Sequence, residues 1–329
     1  MNKKLLALPM AALFATVLAC LPASAADAYP NKVITLVVPA VPGGALDVIA
    51  RTMADEMSKK LGQPIIIDNR PGAGGIVAVQ TVARATPDGY TVLLSNSGPF
   101  TTLPYLYSKV PYDVKRDLAF VSQLCVGQLV LAVNADKVPA RNMKEFVAWA
   151  AANKGKVNYG SYGIGSGSHL MGAYLSQSRN LDMMHVAYKG EPPMLQDLMG
   201  GEVSWAIGTL GSVAPFIDKG RIRALAVMGD KRTSELPDVP TIAEAGFPDP
   251  ELKTNGWIGM VVPAQTPAPV AARLEAEARA ASRTTAMKAR LQAFGMEPTG
   301  TTGAEFRREY EANAKLNEQL VKMSGAKAE

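Results

Sequence analysis

Strand-like and helix-like segments alternate along most of this chain, and that alternation restricts the folds it can adopt. Apolar runs of strand length occur at residues 33–38, 65–68 and 91–95, and a helix-spaced apolar pattern separates the first two. A strand, a crossover helix and a second strand form the unit from which mostly parallel sheets with helices on their faces are built. The sequence therefore predicts an α/β protein.

The middle of the chain repeats this plan. Strand-like runs at 156–161 and 183–190 enclose a helical segment at 168–178, and further strand-like runs follow at 203–208 and 222–228. About 300 residues remain after the N-terminal segment, a length that favours two domains around two cores. We therefore expect two α/β lobes.

Two stretches, 126–134 and 256–263, are candidates for paired connections between these lobes. With both as connections, the first lobe is discontinuous. Its predicted residues are 27–130 and 256–329, and the second lobe is predicted to consist of residues 131–255. Beyond the second connection, helical patterns at 269–294 and 303–323 carry charged faces that we expect to face solvent.

The first 26 residues are typical of a secretory signal peptide and not of the fold. Lys3 and Lys4 precede an apolar run that ends at Leu18, and Ala23-Ser24-Ala25 supplies a small-residue cleavage pattern. The run is about 14 residues long, shorter than the roughly 20 that span a membrane. We therefore expect an exported protein, located in the periplasm.

The chain has two cysteines, Cys20 and Cys125. Cleavage after Ala25 removes the first, so the mature chain has no internal disulfide and its core must hold it together. The apolar surroundings of Cys125 predict a buried, inert thiol. Cys20 follows Val-Leu-Ala, a faint resemblance to a lipid-attachment box, but the leucine there is atypical. A lipid anchor at Cys20 is the less favoured alternative.

Charge and motifs argue against nucleic acid, nucleotide and metal sites. The net charge is +5, the basic residues are scattered, and only 6% of residues are aromatic, so no basic and stacking groove is indicated. Gly72-Ala73-Gly74 begins like a dinucleotide fingerprint, but Val77 occupies the third glycine position, and no phosphate-binding loop sequence occurs. With two histidines and no cysteine pair, a zinc site is not supported. We expect no cofactor and no metal.

Three glycine-rich turns each precede a helical pattern: Pro42-Gly43-Gly44, residues 70–75 and residues 163–169. In open α/β sheets, ligands bind beyond the carboxyl ends of the strands. Helix N-termini there present unpaired N–H groups and a partial positive charge, which favours anions. Three such turns on one edge of a two-lobed fold predict an anion-binding cleft.

Enzyme functions have less support from the residues. No G-x-S-x-G sequence is present. Ser166 and Ser168 flank the start of a helix beside His169, but neighbours in sequence do not point at each other as a nucleophile and a base must. Asp47 is more plainly a helix cap, or an acceptor for bound water or ligand, than a general base. A secreted hydrolase that uses Asp47 or His169 is the remote alternative.

Seven segments closely resemble the Bug family, the extracytoplasmic solute receptors of tripartite tricarboxylate transporters. In chain order they are YPNKVITLVVPAVPGGALDVIAR, LGQPIIIDNRPGAGG, ATPDGYTVLLSN, VPYDVKRDLAFVSQL, HVAYKG, IRALAVMGDKR and LPDVPTIAEAGFP. The similarity extends from about Tyr29 to beyond Phe306, which is nearly all of the mature chain. Motifs of this length in this order are more specific than any single glycine turn.

The resemblance implies a type II periplasmic binding protein, with two α/β lobes, two crossing strands and a cleft that closes on a small carboxylate. Such a receptor is not an enzyme: it delivers its ligand to the integral-membrane permease subunits of a tripartite tricarboxylate-type transporter, and a monomer suits that role. Its ligand is held largely by main-chain N–H groups and ordered water. A sensor that feeds a membrane histidine kinase is the alternative use of the same fold.

Carried over residue by residue, the resemblance implies a ligand site with a wall in each lobe. The implied residues are Pro42, Gly43, Gly44, Asp47, Gly74, Ser95 and Ser97 in the first lobe, and Ser161, Gly163, Ser166, His169 and Gly208 in the second.

Two positions depart from the family pattern. Gly208 stands where the family often has an aspartate, and Ala45 stands where it usually has serine or threonine. An ammonium group on the ligand would lose a natural counter-charge at position 208. We therefore expect a plain or aromatic carboxylate and not an amino acid.

Overall fold

The computed structural model describes residues 29–217 and 219–327. The predicted signal peptide, 1–26, and the predicted lipid site, Cys20, lie outside the described residues. Within the described ranges, none of the helices combines the length and the apolar character that crossing a membrane requires.

The chain begins with alternating strands and helices, as the apolar pattern predicts. These elements are β1 (Ile34–Val38), α1 (Ala45–Leu61), β2 (Ile65–Asn69), α2 (Ile76–Ala83) and β3 (Thr91–Asn96). β1 pairs in parallel with both β2 and β3. The three predicted strands are therefore confirmed to within one residue at each end.

The first helix, α1, shows why the apolar pattern predicts a helix correctly. Ile49, Met53 and Met57 recur at helical spacing, and all three are buried against the first sheet. Gly62 ends the helix in the left-handed region, φ 71°, and its N–H donates to the Ser58 carbonyl at 3.0 Å. A glycine reaches this conformation without steric cost, so the predicted stop at Gly62 is confirmed.

Short helices, a long strand and a second run of alternating elements follow. They are α3 (Gly98–Thr101), α4 (Leu103–Leu106), α5 (Val114–Asp117), β4 (Leu118–Gly127), β5 (Leu129–Asn134), α6 (Met143–Ala152), β6 (Asn158–Ser161), α7 (Gly167–Ser178), β7 (Met184–Ala187), α8 (Glu191–Gly200), β8 (Trp205–Thr209), α9 (Leu210–Ile217) and β9 (Ile222–Val227).

The chain then returns to the first sheet. Its last elements are β10 (Trp257–Pro263), α10 (Ala268–Ser282), α11 (Thr285–Gln292), β11 (Met296–Pro298) and α12 (Gly303–Ser324). The helical stretch predicted at 269–294 is two helices, because the Thr284 hydroxyl caps a new helix by accepting from the Met287 N–H.

Two sheets divide the strands between two lobes. The six-stranded sheet has the order β11-β4-β10-β3-β1-β2 and defines the first lobe; the five-stranded sheet has the order β7-β6-β8-β5-β9 and defines the second. Each sheet lies between two clusters of buried apolar side chains. β1 illustrates this, because Leu36 packs into one cluster and Val37 into the other.

The chain crosses between the sheets twice, at neighbouring points. β4 continues into β5 through Gln128, and the return segment enters β10 at Gly256. The Gly127 N–H donates to the Gly256 carbonyl at 2.7 Å, which joins the two crossings. The lobe limits predicted from the sequence, 27–130 with 256–329 and 131–255, remain our proposal for the domain boundaries.

α12 contacts both lobes. Near its start, the Phe306 ring packs edge-on against Phe120 of β4, with ring centroids 4.9 Å apart. Near its end, Leu320 and Val321 form a small apolar cluster with Leu106 of α4 and Leu170 of α7. The inter-lobe cluster, as we call these last four residues, ties the lobes together beside the crossing strands.

Candidate ligand-binding site

A cavity of about 380 Å³ lies between the two lobes, within the size range of small-ligand sites. The first lobe contributes the start of α1 and the turn after β3, and the second contributes the turn before α7 and the end of β8. The crossing segments and α12 close the remaining sides. The lining residues are Ala45, Leu46, Asn96, Ser97, Gly98, Thr101, Thr102, Gly127, Leu129, Tyr162, Gly165, Ser166, Gly167, Thr209, Thr254, Asn255, Gly256, Trp257, Ile258, Met296, Asn313 and Asn317.

Two helices begin at this cavity from opposite lobes. Ala45 and Leu46 open α1, and Gly167 opens α7. The first N–H groups of a helix have no acceptor within the helix, and its N-terminal end carries a partial positive charge. An anion in the cavity therefore meets main-chain donors from both sides.

The turn before α1 is held by Asp47. Its carboxylate accepts from the Gly43 N–H at 2.9 Å, from Asn69 Nδ2 at 2.9 Å and from two nitrogens of Arg51 at 2.9 and 3.0 Å. The hydrogen bonds from Arg51 contribute most to lowering the pKa of Asp47 to about 2, against the effect of burial. Asp47 is only 1% exposed and does not line the cavity. It shapes the turn from behind.

The turn before α7 is fixed by its own hydroxyl groups. Ser166 caps the helix, because its Oγ accepts from the His169 N–H at 3.3 Å and donates to the Gly163 carbonyl at 2.6 Å. Gly165 has φ +76°, and a Cβ added there would lie 2.6 Å from a methyl carbon of Leu106 in the first lobe. This position needs glycine for both reasons. The cap leaves the N–H groups of Gly167 and Ser168 without an acceptor within the helix.

The described residues of the cavity wall carry no ionised side chain. Lysine, arginine, aspartate, glutamate and histidine are all missing from this part of the wall. Tyr162 is the one described lining residue with a titratable side chain, and burial raises its pKa to about 12. At neutral pH the described wall therefore offers an anion the main-chain dipoles of two helix N-termini and no cationic side chain.

Neutral polar side chains complete the wall. On α12, Asn317 Nδ2 donates to the Asn313 carbonyl at 2.9 Å, and Thr102 Oγ1 donates to Asn317 Oδ1 at 3.4 Å. At the second crossing, Asn255 Oδ1 and Trp257 Nε1 have no hydrogen-bond partner within the described residues. The site is thus rich in amide and hydroxyl groups that can donate or accept.

The structure brings two of the twelve implied residues directly onto the cavity, Ser97 and Ser166. The others lie behind or beside it. Pro42, Gly43 and Gly44 form the turn before α1, Gly74 packs against Leu103 before α2, Ser95 is buried in β3, and Ser161 and Gly163 lead into the turn before α7.

His169 faces a second cavity. That cavity, of about 700 Å³, lies along α7, and its wall includes Tyr159, His169 and His185 of the second lobe and Ser324 of α12. The two imidazole rings are stacked, with centroids 3.9 Å apart and planes 7° from parallel. Burial, followed by the proximity of His185, lowers the pKa of His169 to about 4.

Gly208 is buried in β8. A Cβ added there would lie 2.6 Å from Val213 Cγ2 and 2.9 Å from Glu191 Oε1, so this packing has no room for an aspartate. The Glu191 carboxylate accepts from the Thr209 N–H and, at 2.8 Å, from Thr209 Oγ1. Thr209, and not Gly208, lines the cavity.

Catalytic and metal-binding arrangements are not supported by the geometry. Ser161 Oγ lies 2.7 Å from His185 Nε2, the distance of a nucleophile and its base, but Ser161 is fully buried and no substrate reaches its hydroxyl. Within the described ranges, no group of three or more histidine, cysteine, aspartate or glutamate side chains is placed to hold a metal ion. The ring-nitrogen lone pairs of the stacked His169 and His185 lie in nearly parallel planes, so they do not point at the same ion.

Several cavity residues come from segments far apart in the chain and were not predicted from the sequence. Tyr162 and Thr209 each adjoin a residue that the resemblance implied, Ser161 and Gly208. Asn313 and Asn317 lie four residues apart on one face of α12. Two amides at that spacing could have indicated a polar contact on this face of the helix. The many charged residues of the helix instead predicted only a solvent-exposed surface.

The family model described as tripartite tricarboxylate transporter family receptor matches residues 49–325. The chain belongs to this receptor family. A UPF0065 protein of Bordetella pertussis is 38% identical to this receptor over 283 residues, which are 86% of each chain. The resemblance drawn from the sequence motifs is thereby confirmed.

Two solved structures show the same fold with ligands. Rpa4515 of R. palustris with adipate is 32% identical, superposes with a TM-score of 0.74 and covers 90% of the receptor and 98% of its own chain. MatC from Rhodopseudomonas palustris with bound malate is 29% identical, with a TM-score of 0.70 and coverage of 89% and 100%. The predicted α/β fold with two lobes and a cleft is confirmed. The family is one of transporter receptors, which does not favour a hydrolase.

Proposed function

We propose that this receptor binds a small organic carboxylate without an ammonium group in the periplasm and delivers it to a membrane permease of the tripartite tricarboxylate type. One observation carries the proposal: a cavity between two lobes receives the N-termini of α1 and α7 and has no ionised side chain among the described residues of its wall. The adipate and malate of the two related structures support a carboxylate as the ligand class.

Main-chain donors are sufficient for useful affinity. A micromolar ligand corresponds to about −8 kcal/mol, and hydrogen bonds to a charged group contribute roughly 1.5–3 kcal/mol each. The N–H groups of Ala45, Leu46, Gly167 and Ser168 are already ordered by their helices, so little conformational entropy is lost when they bind. Closure of the lobes would bring both helix ends to the same carboxylate.

The positions of two nearby acidic side chains, Asp47 and Glu191, indicate that the ligand carries no ammonium group. The Asp47 carboxylate is surrounded by Arg51, Asn69 and the Gly43 N–H. Glu191 accepts from Thr209, and neither acid is among the lining residues. A ligand ammonium would lose its hydration and gain no carboxylate in return, which is unfavourable in a buried site.

Matched ligand pairs test this proposal. Calorimetric titration should show that succinate binds more tightly than aspartate, and adipate more tightly than 2-aminoadipate, because each pair differs only in the amino group. A receptor that binds the amino acid of each pair more tightly contradicts the proposed ligand class. Transport of the labelled ligand in a strain lacking the receptor, with and without the gene restored, tests delivery to a permease. Unchanged uptake in the deletion strain contradicts that role.

A further inference from the structure

A histidine outside the ligand cavity holds the turn that precedes α7. The Gly165 N–H donates to His169 Nδ1 at 3.0 Å. Gly165 lines the ligand cavity, whereas the His169 ring lies in the wall of the second cavity. One side of this turn therefore faces the ligand cavity, and the other side is hydrogen-bonded to His169.

This hydrogen bond determines the form of the imidazole. A ring nitrogen that accepts must carry a lone pair, so neutral His169 has its proton on Nε2. A doubly protonated ring would turn an N–H towards the Gly165 N–H, and the bond would be lost. Because the pKa of His169 is lowered to about 4, the accepting form predominates at neutral pH.

His185 supports the arrangement from the next strand. Its ring stacks on His169, and its Nε2 lies 2.7 Å from the Ser161 hydroxyl at the end of β6. Ser161 is the last residue of β6, and Gly165 lies within the turn that follows. The histidine pair thus anchors the turn at its entry and in its middle.

We propose that His169 is a positioning residue for the carboxylate site: by accepting the Gly165 N–H at Nδ1, it keeps the turn and the first N–H groups of α7 on the ligand cavity. This inference rests on the proposed function, because the ligand is the carboxylate proposed above. The ring is not part of the ligand-cavity wall, so its contribution passes through the main chain of Gly165.

Other titratable groups share the second cavity with His169, namely Lys154, Tyr159, Asp182 and His185. Lys154 is engaged, since its Nζ donates to Asn180 Oδ1 at 2.8 Å. Burial lowers the pKa of His185 and raises that of Tyr159, so both favour their neutral forms. Protonation of His169 is then a change expected around this cavity as the pH falls towards 4.

Two substitutions separate the contribution of the hydrogen bond to ligand binding from the contribution of the ring. His169→Asn places Oδ1 near the position of Nδ1 and retains an acceptor, whereas His169→Phe retains a ring to stack on His185 and removes the acceptor. With adipate as the probe, the Phe variant should bind about tenfold more weakly, the equivalent of one hydrogen bond of about 1.4 kcal/mol. The Asn variant should remain within about threefold of the wild type.

The pH profile gives a second readout. Adipate itself takes up protons in the same range, and the His169→Asn variant records that contribution alone. The wild type should lose affinity faster than the Asn variant as the pH falls from 6 to 4. Identical profiles, or an Asn variant that binds as weakly as the Phe variant, would overturn the positioning role.

A ligand-independent measurement guards against variants that fold poorly. The chain contains only two histidines, so ring-nitrogen NMR of the wild type, with His185→Phe for assignment, reports the tautomer of each. We expect the proton of His169 on Nε2, and a proton on Nδ1 overturns the inference. A wild type that binds aspartate and 2-aminoadipate more tightly than succinate and adipate would contradict the proposed function, while the tautomer still decides whether the His169–Gly165 bond exists.

Discussion

At the scale of single residues, two buried side chains outside the cavity wall hold the glycine turns that precede α1 and α7. Asp47 and His169 are buried behind the two cavity turns, and each accepts a main-chain N–H from a glycine, Gly43 and Gly165. A glycine turn has many accessible conformations, so a side-chain acceptor is needed to select one. The resemblance implied both residues as part of the ligand site, and neither is among the residues that line the cavity.

Asp47 should make stability depend on pH in acid. Its folded pKa of about 2 lies below the ordinary 3.8, so the unfolded chain takes up the proton first. The stabilisation is therefore complete above pH 3.8 and is lost as the pH falls from 3.8 to about 2. Asp47→Asn should reduce the unfolding free energy at pH 7 by about 1–3 kcal/mol and remove part of the acid dependence.

Urea unfolding at several pH values measures this effect. Asp55→Asn is the control, because Asp55 is exposed on the same helix, α1. Equal losses for the two substitutions at pH 7 would show that the contacts of Asp47 do not stabilise the turn.

At the scale of elements, α12 does more than cover the first lobe. Its start is fixed by a capping box between Thr302 and Glu305, and its middle presents Asn313 and Asn317 to the cavity. This helix is rich in charged residues, yet the two α12 side chains that line the cavity are neutral amides. A charge at that point should oppose an anionic ligand directly.

Asn317→Asp is expected to weaken adipate binding by at least about tenfold, since two like charges at close range repel by roughly 1–4 kcal/mol in partly solvated surroundings. Calorimetric titration at pH 7 measures the loss. Gln319→Asp adds the same charge to the same helix at an exposed position and should leave affinity nearly unchanged. Equal effects of the two substitutions would mean that Asn317 does not face the ligand.

At the scale of the whole molecule, the lobes are held by more than the two crossings. The inter-lobe cluster joins α4 and α12 to α7 of the second lobe, and Gln177 Nε2 donates to the Met323 carbonyl at 3.0 Å. Opening of the cleft by lobe rotation must disturb these contacts. The cluster should therefore oppose further opening of the cleft before ligand arrives.

Leu170→Ala should shift the ligand-free receptor towards open forms, because it removes apolar contact between the lobes. X-ray scattering should show a larger radius of gyration without ligand, restored by saturating adipate. Leu175→Ala lies on the same helix but in the core of the second lobe, so it should lower stability by about 2–5 kcal/mol without changing the ligand-free dimensions. An unchanged radius for Leu170→Ala would exclude the cluster as a restraint on opening.

The fold could be predicted from the sequence because the signals for its helices and strands are local. The spacing of Ile49, Met53 and Met57 and the stop at Gly62 are properties of one helix, and the structure reproduces them. The four-residue helices α3, α4 and α5 escaped prediction, since each is too short to show a periodic pattern. Ser97 and Ser166 line the cavity, and each lies next to the end of an element that local patterns predict, Ser97 after β3 and Ser166 before α7.

By itself, the sequence determined two α/β units, the glycine turns before α1 and α7 and membership of a receptor family, since periodicity, turn chemistry and long motifs are all contained in contiguous residues. Only the tertiary structure decided that Thr209 and not Gly208 lines the cavity, that Asn317 Oδ1 lies 3.4 Å from Thr102 Oγ1, and that His169 lies in the wall of the second cavity. Those outcomes depend on how separate segments pack, and packing distances between residues far apart in the chain have no local signature.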